Sequence, residues 1–113
     1  MLILDSPVRS LEVVLAGAVT TRQLPYVLGY VDLLSSTQAV SAVGATDGLT
    51  TSGTAVVVLV APVTGHTRTV KFLSVVNKDT VPAIVTVQLN DNGTTREIVT
   101  ITLAVGDNLV YTD

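Results

Sequence analysis

The chain contains no cysteine, which excludes a disulfide framework and thiolate metal sites and leaves its redox compartment open. Charge is also scarce. Charged residues make up 13% of the sequence, about half the usual share. The six Lys and Arg residues are scattered singly and the formal charge is −3, so no basic stripe exists to neutralise phosphates and no nucleic-acid partner is expected. Long apolar runs are missing too. The longest, Ala55 to Val63, carries Pro62 near its end and is far too short to span a bilayer as a helix. The N-terminal "MLILDSPVRSLEVVLAGAV" lacks a basic n-region, and Asp5, Arg9 and Glu12 interrupt its apolar stretch. Cytoplasmic synthesis without a standard export signal, and no membrane partner, are the expectations. Tryptophan is absent, and Tyr26, Tyr30, Tyr111 and Phe72 are the only aromatic residues, few for a module that recognises glycans.

What the chain has in abundance is Val and then Thr, β-branched residues that are stiff at χ1 and suit a pleated surface better than a helix. The apolar fraction reaches 48% with a mean hydropathy of +0.61. At 113 residues the length suits one compact β domain over residues 1–113 with a single core. Such a composition is expected when much of the surface is covered by neighbouring subunits, which predicts a homo-oligomer.

The pattern along the chain is a series of short strands with turn signals at intervals of roughly 8 to 12 residues. After "LIL" and a Ser6-Pro7 break come "LEVVLAG" and "YVLGYVDLL", the latter with Gly29 marking a bulge or close approach. "AVVVLVA" reads as a strand buried on both faces, and "TRTVKFLSVVN" and "NLVYT" are strand-like. "PAIVTVQLN" and "REIVTITLAV" alternate well, placing Val85, Val87, Leu89, Val99, Ile101 and Leu103 inward and Thr86, Gln88, Thr100 and Thr102 outward. Residues 35–54, "SSTQAVSAVGATDGLTTSGT", show no sustained period and are expected to form a long loop or arm lying on a partner. The fold class is therefore all-β, an antiparallel sandwich of jelly-roll-like type or a barrel.

Candidate chemistry is thin. In "QLNDNGTTREIV" the residues Asn90, Asp91, Asn92 and Gly93 offer oxygen ligands, but an EF-hand loop needs further ligands and a distal Glu in an order this stretch does not supply. Asn-Gly between two alternating strands is a hairpin turn. His66, the only histidine, lies in the turn "VTGHTR" with no nucleophile or orienting carboxylate nearby in sequence. The carboxylates Asp5, Glu12, Asp32, Asp47, Asp79, Asp91, Glu97, Asp107 and Asp113 are dispersed, and several sit in turns where they cap backbone. The glycines form neither GxGxxG nor a Walker-type loop, and Lys71 and Lys78 flank a strand as edge protection would. No catalytic, cofactor-binding or metal-ligating residue is assigned, and a non-enzymatic protein without cofactors is expected.

Four phrases, "LAGAVTTRQLPYV", "SVVNKDT", "LNDNGTTR" and "LAVGDNLVYTD", carry a resemblance that spans most of the chain outside residues 35–54. The sequence resembles small β-rich structural proteins encoded in the virion-morphogenesis regions of tailed bacteriophages. That resemblance implies a virion component made in the host cytoplasm: a capsid decoration or cement protein, a neck or collar protein, or a tail-associated module. Its partners would be other capsid, neck or tail proteins. A receptor- or glycan-binding β-module of a tail or fibre is the alternative.

Overall fold

The computed structural model describes every residue from Met1 to Asp113 and holds nine strands and no helix. They are β1 (Leu2–Leu4), β2 (Arg9–Leu15), β3 (Leu24–Leu34), β4 (Val40–Thr50), β5 (Val56–Leu59), β6 (His66–Val76), β7 (Ala83–Asp91), β8 (Thr94–Leu103) and β9 (Asn108–Thr112). One sheet, A, runs β1-β6-β3-β4, with β9 also on β6; the other, B, runs β5-β2-β7-β8. β1 and β9 share one edge of β6, taking Arg68 to Val70 and Phe72 to Val76 respectively. Every neighbouring pair is antiparallel, and the sheets are not closed into a barrel. Of the two architectures expected, the sandwich is the one formed. Its smallest dimension is 18 Å, as two sheets stacked about 10 Å apart require once outward side chains are added.

Alternation builds the core. Leu11, Val13, Leu15, Val85, Val87 and Leu103 from sheet B meet Leu4, Leu24, Tyr26, Leu28, Val70, Leu73 and Val75 from sheet A. Burying each large apolar side chain contributes about 1.5–3 kcal/mol before entropy is charged. On β7, Val85 and Val87 are buried and Leu89 packs against the core, as their spacing predicts. Gly29 sits beside a register shift in the β3–β6 pairing, where Lys71 is the extra residue of the ladder.

Three expectations need correction. Val99 and Ile101 do not join the closed core: they are 37% and 38% exposed. Their phase is right, because Val99 pairs with Val87 and Ile101 with Val85. But β8 is an edge strand, and the facing sheet ends there in the short strands β1 and β9. The segment "AVVVLVA" is not buried on both faces either; only Val56–Leu59 is strand, at the other edge of sheet B, with Val57 and Val60 exposed.

The loop or arm expected over 35–54 is largely a strand. β4 takes eleven of those residues and pairs with β3 along its length. The reason lies in its inward positions, Gly44, Thr46, Gly48 and Thr50, which carry no large apolar side chain to mark a period. Tyr30 pairs with Gly44 and Tyr26 with Gly48, and each ring lies where a Cβ would stand. The tyrosines fill the inner side of β4 from the neighbouring strand, an aromatic rescue of edge glycines.

Candidate interaction surface

Asn92 and Gly93 form the two-residue turn of the β7–β8 hairpin with φ of 53° and 94°, the positive pair that a type I′ turn demands. The residues around them face inward to the protein's own backbone and side chains. Asn90 accepts the Gly93 N–H on Oδ1 at 2.8 Å and donates from Nδ2 to Glu12 at 3.0 Å. Asp91 stands 3.3 Å from the Arg9 guanidinium, which also binds Asp5. The stretch is a bend, with the Asn90 side chain and one Asp91 oxygen engaged within the protein.

The densest polar cluster joins three of the four resemblance-bearing phrases. Asn77, fully buried, donates from Nδ2 to the carbonyls of Val81, Leu103 and Ala104, and accepts the Asp79 N–H on Oδ1 at 2.9 Å. The Asp79 carboxylate in turn accepts the backbone N–H groups of Thr20 at 2.7 Å, Thr21 and Thr80 at 2.8 Å, and Arg22 at 3.1 Å. These bonds, led by that from Thr20, hold its pKa down to about 2 against the opposing effect of burial. The backbone of Asn77 pairs with the turn around Gly106, whose φ is +85°. So "TTR", "NKD" and "AVGD" close one end of the sandwich. The Asn77 amide and the Asp79 carboxylate of this hub are thus spent on backbone groups of the fold.

Two further clusters escape sequence reading because their members come from different strands. Glu12, 6% exposed, accepts from Gln88 at 2.9 Å and from Asn90 at 3.0 Å across the outer face of sheet B. Arg68 binds Asp32 at 2.9 Å, donates to the Val60 carbonyl at 2.9 Å and lies 4.7 Å from the centre of the Tyr30 ring. The first could be suspected from polar residues at outward positions; nothing local signals the second. His66 has only the Thr64 carbonyl near Nδ1, at 3.4 Å. Lys71 pairs with Asp113 at 2.9 Å. No three His, Asp or Glu side chains converge as a metal would require.

The two outer faces differ sharply in chemistry. Across sheet B the register lines up Val57–Glu12–Gln88–Glu97, Val14–Thr86–Thr100, Ser10–Asn90–Thr95 and Ile84–Thr102, rows mostly of amides, hydroxyls and carboxylates with the exposed Val57 and Ile84 among them. Across sheet A it lines up Asp47–Val27–Ser74–Val110, Ala45–Gly29–Phe72–Thr112 and Val43–Val31–Thr69–Ile3, where Asp47 is the one charge. Val27, Val43, Val110 and Leu49 on that face are all close to half exposed or more. A second apolar region, a recess of about 220 Å³, opens at the seam between β8 and β9 and is lined by Leu73, Val87, Ile98, Val99 and Tyr111 among others.

The chain matches no protein-family model, no curated protein and no solved structure. Asn77, Asp79, Glu12 and Arg68 are tied into the fold, while one outer face, one seam and the sheet edges present apolar side chains and free backbone. That arrangement suits contact with other protein surfaces.

Proposed function

We propose that this protein is a non-enzymatic structural component that acts through subunit–subunit contacts, and, on the resemblance of its sequence, that its setting is the virion of a tailed bacteriophage. The observation that carries the reading is the contrast between the outer faces. The rows of sheet B are mostly polar, with Val57 and Ile84 exposed among them. Those of sheet A are mostly apolar, with Asp47 in them and the exposed Lys71 at the β6 bulge beside them. A free apolar face of this kind marks an interaction site. The decoration, neck and tail-associated roles all use such contacts. Glycan recognition draws little support from the aromatic side chains, since Tyr26 is buried and Tyr30 and Tyr111 pack against the core.

The test is fractionation of particles produced from a genome that carries this gene. The chain should co-purify with intact particles through density-gradient centrifugation, in many copies per particle by quantitative mass spectrometry. Its presence in the free protein fraction alone, with none on purified particles, would overturn the virion reading.

A further inference from the structure

The sandwich has five strands with a free edge, and they are unequally protected. β1, β5 and β9 are three, four and five residues long, too short to template much pairing. β8 is longer but carries a register shift at Ile98 and the adjacent charges Arg96 and Glu97. β4 has only a register shift at the start of its pairing, where Ser41 is the extra residue. It runs eleven residues without Lys, Arg or Pro, and is in unbroken register with β3 from Ala42 to Thr50. Its only ladder partner is β3, and none of the backbone–backbone hydrogen bonds outside the ladders involves residues 40–50. The Thr46 hydroxyl, on the inner side, donates to the Val58 carbonyl of β5 at 2.6 Å. A long, regular, nearly uncharged edge is what proteins ordinarily avoid unless something pairs with it.

We propose that β4 pairs antiparallel with β4 of a second copy about a two-fold axis, joining the two A sheets into one continuous sheet. The proposal rests on the subunit-contact reading above and names the edge that makes the contact. Residues related by such an axis must pair symmetrically, so one residue faces itself. With Thr46 at the axis, Val43 falls opposite Leu49 of the second copy, and Leu49 opposite its Val43. These are the two most exposed large apolar side chains on the paired stretch, at 72% and 51%, and directly opposed residues are the unit of sheet stabilisation. Asp47, the strand's one charge, then faces Ala45 rather than another carboxylate. On the inner side Gly44 faces Gly48, so neither backbone is held off by a side chain. The same axis doubles the apolar outer face of sheet A into one uninterrupted surface.

Edge pairing is tested on the purified full-length chain by sedimentation equilibrium and by cross-linking. Val43→Lys, at a position exposed enough to leave the fold intact by circular dichroism, should weaken self-association at least tenfold. Because the chain has no cysteine, Thr46→Cys can form disulfides only between copies, and oxidation should convert it to covalent dimer. Ala45→Cys should not cross-link, since its mate lies diagonally, about 7–8 Å away. If Thr46→Cys disturbs the fold, the reciprocal pair Val43→Cys with Leu49→Cys, mixed as two separate chains, replaces it and should give the mixed dimer. An intact chain that stays monomeric at about 0.5 mM, a Val43→Lys variant that associates undiminished, or the absence of the expected cross-link each overturns the β4 pairing. Those results leave the subunit-contact reading standing where the chain still co-purifies with particles; absence from particles strikes that reading and leaves the edge result to be judged on its own.

Discussion

Single residues hold this fold at points the core does not reach. Asp79 satisfies the backbone N–H of its neighbour Thr80 and three more, of Thr20, Thr21 and Arg22, in a loop far away in sequence. Its carboxyl titrates at about 2 in the folded protein, below its unfolded value. The stabilisation is therefore complete above the unfolded pKa and is lost as pH falls from there through about 2. Thermal unfolding of the intact chain should show this fall, and Asp79→Asn should melt lower at neutral pH with a flatter acid limb; matching curves for the two proteins would remove Asp79 from the account. Gly48 and Gly44 act by having no side chain. A Cβ at Gly48 would lie 2.8 Å from the Tyr26 hydroxyl, and one at Gly44 2.6 Å from that of Tyr30. Gly48→Ala should cost about 1–3 kcal/mol as an overpacking change. In chemical denaturation most of that cost should vanish in the background Tyr26→Leu, because the clash is with the ring.

At the scale of elements, β8 separates patterning from burial. Leu103 and Ile101 lie on the same face of one strand, yet they are 2% and 38% exposed. Leu103→Ala should cost about 2–5 kcal/mol, and Ile101→Ala no more than about 1 kcal/mol, read as a shift in denaturation midpoint at constant slope. Equal costs would mean that the seam beside β8 is closed in solution. The hairpin ahead of β8 depends on backbone conformation. Gly93 holds φ at +94°, where a β-branched residue is strained by roughly 1–2 kcal/mol. Gly93→Val should lower the melting temperature by the same amount with calcium or with chelator. A difference between those two conditions would revive an ion at Asp91 and Asn92.

For the whole molecule, the decisive property is that its two outer faces differ. Val27 lies in mid-sheet on the apolar face of A, and Thr100 on the polar face of B. Val27→Lys should reduce binding to particles or to partner subunits while Thr100→Lys leaves it unchanged, with both proteins folded by circular dichroism. If the two substitutions act alike, the contact surface is not sheet A. Neither residue is buried, so stability should move by no more than about 0.5 kcal/mol in either variant.

Much of this architecture is written locally in the sequence. β7 and β8 announce themselves by period-two alternation, Asn92-Gly93 by its turn chemistry, and the sandwich class by the rhythm of short strands. These are local signals, because they need only the chain's own neighbours along the sequence. β4 was hidden for the opposite reason: its inward side is filled by Tyr26 and Tyr30 from β3, so its own residues at those positions could shrink to glycine. The fate of Val99 and Ile101 was equally beyond the sequence, since burial depends on how far the other sheet extends over them. Asp79 looked like one turn carboxylate among many until folding brought Thr20, Thr21 and Arg22 to it across 57 to 59 positions. The contrast between a wet face and an apolar one follows the same rule. Which side chains alternate is written in each strand, but which strands lie side by side, and so which residues form a row, is decided only by the tertiary pairing.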